Sequence, residues 1–229
     1  ITRGRSEASG EVQTGSCSLT LDNTDGALSP MLASSPFYPN VKPQNRLRVT
    51  YRDPAVGGNL LSANAASIET SAADWYSNDV FGSYVTAAVA RSTTRAWTGA
   101  ASLLITWPTT GIGSIGMTLL TGLVIGRAYT ASAYVYVPSG HPNVALHAVF
   151  LVAGTATATK TAWTRITVTF TATSSAQAIG VYAATATSGQ QCWVDGIQVD
   201  EGSSAVTFTT TAPPIVYRFD GYVDEWPIE

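Results

Sequence analysis

Charge is scarce in this chain. Of 229 residues, 12% are Asp, Glu, Lys or Arg, and the net charge is −3. No basic stripe is present, which excludes nucleic acid as the expected partner. No apolar run reaches the ~18 residues of a membrane-spanning helix. His141 and His147 are the only histidines, so a His-based triad or a zinc centre has few options. Cys17 and Cys192 are too few for a disulfide framework and fall in different predicted domains. They read as free thiols, suited to folding in a reducing cytoplasm. No signal-peptide pattern opens the chain. It starts at Ile1 inside what reads as a strand or loop, so a fragment of a longer protein is expected. The GxSxG, P-loop and HExxH patterns are absent. Gly111–Gly116 fits GxGxxG, but no βαβ pattern surrounds it, and it reads as a loop. Carboxylates between residues 57 and 208 are sparse, and a glycosidase pair among them is conceivable.

Apolar residues make up 45% of the chain. They fall in short alternating runs broken by Gly, Pro, Ser and Thr. Predicted strands are 84–89, 102–106, 117–120, 129–137, 144–152, 164–170, 178–183 and 192–199. Helical periodicity is missing. This spacing predicts an all-β chain, a jelly-roll or β-sandwich. Alternation also assigns faces. Ala131, Ala133, Val135 and Val137 point to the core, leaving Tyr134 and Tyr136 opposite. Leu146 points inward with His147 opposite, and Ile179 and Val181 inward with Tyr182 opposite. Ile166, Val168 and Phe170 are core-facing. Tyr134, Tyr136, His147 and Tyr182 are expected to gather on one exposed sheet face. Aromatic rings with polar neighbours suit a sugar, whose C–H faces stack on rings. The alternative is a ladder of cross-strand pairs that stabilises the sheet. Trp75 and Trp107, in or near loops, are further candidates for the binding site.

Gln191–Glu201 reads as one long strand. Strict alternation puts Trp193, Asp195, Ile197 and Val199 on the core side. A buried carboxylate such as Asp195 needs a metal ion, a basic residue or several backbone N–H groups.

Residues 1–54 differ in texture. Arg3, Arg5, Arg46, Arg48 and Arg52 cluster there, Asp22–Gly26 is a strong turn signal, and Arg46–Tyr51 alternates. This stretch is too short for a good core. Its complement is expected at 213–229, where Ile215–Asp224 reads as strand and turn. The predicted organisation is a small split β domain, 1–54 plus 213–229, with a β-sandwich at 57–208 inserted into it.

Several motifs of the insert resemble xylanase-type carbohydrate-binding modules. They are Asn59-Leu60-Leu61, Ile68-Glu69, Thr98-Gly99-Ala100-Ala101-Ser102-Leu103, Gly126–Ala133, Trp163–Phe170 and the closing Trp193-Val194-Asp195 strand. The resemblance implies a jelly-roll fold, carbohydrate binding with no enzyme activity, and Trp97, Trp163 and Trp193 at structural positions. It also implies a structural calcium ion held by Glu69, Asp195 and a carbonyl near Thr98 or Gly99, oxygen ligands of the kind calcium takes. The alternative is that both carboxylates accept backbone N–H groups without metal.

The outer segments resemble minor tail proteins of long-tailed actinobacterial phages. The matching stretches are Ile1–Arg5, Leu19–Pro30, Pro36–Tyr38, Arg46–Val49 and Arg218–Pro227. Asp22–Gly26 is read there as a turn, with cation binding as the lesser alternative. The resemblance implies a virion component, oligomeric within the tail and contacting other tail proteins. Its insert would bind host cell-wall polysaccharide. The rivals are a purely structural virion domain and the accessory module of a secreted polysaccharide-degrading enzyme.

Overall fold

Short β-rich runs separated by turns give a chain of strands with one brief helix. A computed structural model describes residues 58–79, 87–107, 114–183 and 185–213 continuously. It also describes 23–24, 28–29, 32–40, 42, 46–52 and 215–222; for 47–52, 78–79, 114 and 215–222 it is the backbone that is described. The chain divides into two compact units, Ile1–Asp53 with Ile215–Glu229, and Pro54–Pro214.

In the first unit, β1 (Arg46–Arg52) pairs antiparallel with β12 (Ile215–Tyr222), with a register shift between Val49 and Thr50. Of the Asp22–Gly26 turn, Asn23 and Thr24 are described. Asn23 Oδ1 accepts from Leu28 N at 2.6 Å, a side-chain-closed turn. Cys17 lies outside the described residues.

The second unit is a sandwich of two five-stranded antiparallel sheets. Sheet I runs β2 (Tyr76–Asp79), β5 (Ser114–Thr121), β10 (Ala176–Tyr182), β7 (Ala145–Ala148), β8 (Val152–Ala153). Sheet II runs β3 (Ala88–Ser92), β4 (Ser102–Thr106), β11 (Gln191–Glu201), β6 (Ala128–Tyr136), β9 (Trp163–Thr171). The core lies between them. Sheet II supplies Ala131, Ala133, Val135, Ile166, Val168 and Phe170, and sheet I supplies Leu146, Ile179 and Val181, the faces that alternation assigns. Cys192 is a fully buried free thiol, and burial pushes its pKa up to about 12.

β11 departs from strict alternation. Cys192 and Val194 face the core, and so do Ile197 and Val199. Its register with β6 shifts between Asp195 and Gln198, and Gly196 sits at φ 55. A bulge adds a residue to one strand and reverses which parity points inward beyond it. Trp193 and Asp195 therefore lie on the outer side of sheet II, not on the core side with Ile197 and Val199.

Two elements escape the alternation reading. Helix α1 (Ala63–Ser67) is only 5 residues long, opened by Ser62 Oγ accepting from Ala65 N at 2.9 Å. β2 is 4 residues long and mostly polar. The stretch 144–152, expected as one strand, holds β7 and the start of β8 with a turn at Phe150, whose φ is 61.

Asn59 joins the two ends of the unit. It is 1% exposed. Its backbone N–H donates to Thr211 O at 2.8 Å, and its Nδ2 to Ile197 O at 2.7 Å and Thr209 O at 3.1 Å. Its Oδ1 accepts from Leu61 N and Val199 N, each at 3.1 Å. Every polar atom of this buried amide side chain is thereby engaged, as burial demands.

Candidate functional site

The outward side of sheet I carries an ordered set of rings and apolar groups. Antiparallel register aligns Tyr76 with Met117, Met117 with Gly180, and Gly180 with His147 in one row across four strands. The next row places Ile115 beside Tyr182 and Tyr182 beside Ala145. Directly paired residues share a face, and Leu146, Ile179 and Val181 occupy the inner one, so both rows face outward. His147 and Tyr182 meet with ring centroids 4.9 Å apart at 54°. Ile115, Met117 and Val149 form an apolar cluster with Ala178 and Tyr182, separate from the inter-sheet core. The Ile115 side chain fills the space over Gly180, where a Cβ would run into it. Tyr76 rises at the β2 end, 43% exposed. Three strand spacings, about 14 Å, separate Tyr76 from His147. Burial lowers the His147 pKa, so the imidazole is neutral at pH 7. The result is a shallow trough, uncharged in both rows, in which the partly exposed rings of Tyr76, His147 and Tyr182 stand around buried Ile115 and Met117.

The middle of the outward side of sheet II is covered, while Ala90 and Thr169 on its edge strands are exposed. Tyr134 and Tyr136 lie there, opposite Val135 as alternation requires, and both are half-buried. The Trp97 ring stacks on Tyr134 with centroids 3.6 Å apart at 9°, and Phe208 meets Trp97 edge-on. Tyr136 sits between its cross-strand neighbours Trp163 and Trp193, both edge-on, with the Arg95 guanidinium 4.1 Å above its ring. Arg165 donates from Nη2 to Ser132 Oγ at 2.9 Å and to Val206 O. The four residues expected on one face are thus split. His147 and Tyr182 come together on sheet I, and Tyr134 and Tyr136 form a cross-strand aromatic ladder on sheet II, with the core between the pairs. Trp97, Trp163 and Trp193 belong to that outer cover and not to the inter-sheet core.

Trp75 and Trp107 present no ring to a ligand. They are 3% and 1% exposed. Trp75 Nε1 donates to Ala65 O at 3.0 Å, tying α1 to the strand that follows. Trp107 Nε1 donates to His141 Nε2 at 2.7 Å, and His141 Nδ1 bonds Pro142 O at 2.8 Å. This pattern fixes a neutral imidazole with the proton on Nδ1. Burial lowers the His141 pKa. A folded pKa below the unfolded one gives stability that is present above the ordinary histidine range and is lost as pH falls through the folded value. The melting temperature is expected to drop between pH 7 and pH 5 in the wild type, and less steeply in His141→Gln, as read by calorimetry.

Glu69 and Asp195 close on one loop from two sides. Asp195 Oδ2 accepts from Trp97 N at 2.8 Å and Thr98 N at 3.0 Å, and Oδ1 from Gly196 N at 2.7 Å. Glu69 Oε1 accepts from Ala100 N at 3.0 Å and Ala101 N at 3.3 Å, and Oε2 from Ala100 N at 3.1 Å. Gly99, between them at φ 67, lies against Glu69, and a Cβ there would collide with Oε1. Burial raises the Asp195 pKa, three backbone N–H bonds oppose the rise, and the Glu69 charge adds to it. Among the described residues no Lys, Arg or His forms a salt bridge with either carboxylate. Asp200, also 3% exposed, accepts from Gln198 Nε2 at 2.7 Å.

No protein-family model and no curated protein matches the chain. Solved structures do. The N-terminal CBM22-1-CBM22-2 tandem domain from Paenibacillus barcinonensis Xyn10C is similar at 17% identity and a TM-score of 0.50, over 65% of this chain and 47% of that one. The sandwich has the fold of carbohydrate-binding modules. The CBM22-1-GH10 modules of Clostridium thermocellum Xyn10B, complexed with xylohexaose, align at 12% identity and a TM-score of 0.47, over 66% of this chain and 30% of that one. A xylan-binding domain from CBM 22 aligns at 18% identity and a TM-score of 0.48, over 66% of this chain and 99% of that one. Of the first two, then, this chain spans less than half the length.

Sequence reasoning missed Tyr76. Its strand is short and polar, and the adjacent Trp75 drew the attention. The usable signal was the aromatic pair before Ser77-Asn78-Asp79, where one ring must turn in and the other out.

Proposed function

We propose that the sandwich binds a polysaccharide of a bacterial host envelope along the outer trough of sheet I, as part of a phage tail. The observation that carries the binding reading is the aligned row Tyr76, Met117, Gly180 and His147, with Tyr182 beside it. The partly exposed rings of Tyr76, His147 and Tyr182 match the C–H faces of a glycan. The shared fold with carbohydrate-binding modules supports it. The tail role is supported by the sequence resemblance of the segments before residue 54 and after residue 213. Copies repeated around a tail, in contact with other tail proteins, would add avidity on the order of 10²–10⁴. Retention of the chain on purified host cell walls tests the binding, and its presence in purified virion tails by mass spectrometry tests the location. A chain found in tails but not retained on walls is a structural virion domain.

We further propose a structural calcium ion at the Glu69–Asp195 clasp. The donors fit: two carboxylates, the Glu69 charge helping to push the Asp195 pKa up, hard oxygens throughout, and no salt-bridged cation among the described residues. When bound, the ion would supply the positive charge that the pair lacks. Glu69 and Asp195 would hold it, with a carbonyl of the 97–101 loop. Binding to the native state at about 100 times Kd adds roughly 2.7 kcal/mol. Millimolar calcium is expected to raise the melting temperature over an EDTA control, and Glu69→Gln to remove the difference. Identical melts with and without calcium would leave the N–H bonds as the whole account of the clasp.

A further inference from the structure

The trough on sheet I does not end at β2. That strand stops at Tyr76, opposite Met117, whereas β5 runs on to Thr121. A cleft of about 290 Å³ opens beside the continuing strand, lined by residues that include Ser62, Asp74, Tyr76, Thr118, Leu119 and Thr121. Tyr76 and Leu119 are 43% and 53% exposed. Leu119 lies two residues beyond Met117 and so shares its outward side. Tyr76 therefore belongs both to this cleft and to the row of the trough.

Its chemistry is specific. Asp74 Oδ2 accepts from Ser62 Oγ and from Asn64 Nδ2, each at 2.9 Å, which fixes the carboxylate. No donor among the described residues engages Asp74 Oδ1. No Lys or Arg lines the cleft, and none stands in the rows of the trough. A held carboxylate with a free oxygen is a strong acceptor for hydroxyl groups. Beside it stands an exposed phenol ring, and there is no cation to offset a second negative charge.

We infer that this cleft is an end subsite of the glycan trough and takes a neutral, hydroxyl-bearing sugar unit, Tyr76 contacting the ring and Asp74 Oδ1 accepting its hydroxyls. The inference rests on the glycan reading above and narrows it. A polymer carrying carboxylate, phosphate or sulfate meets an uncompensated Asp74, so the polysaccharide bound here is an uncharged one.

The test uses the full 229-residue chain and host wall polysaccharide separated by anion exchange into uncharged and anionic fractions. The wild type is expected to retain the uncharged fraction, with affinity unchanged by added NaCl. Asp74→Ala should bind that fraction about tenfold more weakly, the loss of hydrogen bonds to a charged acceptor. Asp74→Asn, which keeps the shape and a partner for Ser62, should fall between them and melt like the wild type. Preference for the anionic fraction, or Asp74 variants with wild-type affinity, overturns the neutral subsite while glycan binding stands. A wild type that retains neither fraction overturns both.

Discussion

Asp195→Ala is expected to be the most damaging single substitution in the sandwich. The carboxylate is fully buried and accepts three backbone N–H groups, from Trp97, Thr98 and Gly196. Alanine leaves all three without an acceptor, at about 1–3 kcal/mol each where water cannot reach them. A total of about 4 kcal/mol is a large part of the 5–15 kcal/mol that holds a domain together. For a unit of this size it corresponds to about 8–16 °C in melting temperature. Asp195→Asn keeps one acceptor oxygen and should lose less. The same ranking in EDTA assigns the effect to the N–H bonds themselves. A loss below about 1 kcal/mol would mean that the 97–101 loop is held by something else.

His147→Ala combined with Tyr182→Ala is expected to weaken retention on host walls more than 100-fold. Anchors of a binding face cost about 2 kcal/mol or more each. The protein should remain folded, because neither side chain reaches the inter-sheet core. Tyr134→Ala should do the reverse. It removes the ring on which Trp97 stacks and opens a gap in the cover of sheet II, so the melt falls while wall binding stays within about twofold of wild type, below 0.5 kcal/mol. Calorimetry and wall retention on the same preparations separate the two faces. Loss of binding in Tyr134→Ala without loss of stability would move the site to sheet II.

The contrast between these tyrosines shows how far the sequence could be read. Alternation found which residues of β6, β7, β9 and β10 face the core, because a period of two leaves only two choices per strand. It could not say which strands share a sheet. Tyr134 and Tyr182 look alike along the chain, and only the strand order puts one under Trp97 and the other beside His147. The bulge at Gly196 was hidden for a related reason. A glycine inside an apolar run signals a bulge only when the neighbour's register is known, and without that shift Trp193 and Asp195 were assigned to the wrong side. Glu69, Gly99 and Asp195 were legible as a group through their family resemblance, and the structure brings them together at one loop. Tyr76 was legible only through the adjacent aromatic pair, since a four-residue polar strand otherwise looks like a loop.

Asn59 has a mechanical consequence. The chain enters the sandwich beside Gly58 and leaves it beside Pro213, and this one buried side chain and its N–H bond the incoming segment to the outgoing one at Thr209 and Thr211. Tension applied along the backbone from either side therefore crosses at the Asn59 clasp and short-circuits the 150-odd residues between. The strands of sheet I lie outside that path until the clasp ruptures, so a module tethered at both ends can hold its surface in shape while the chain that carries it is pulled.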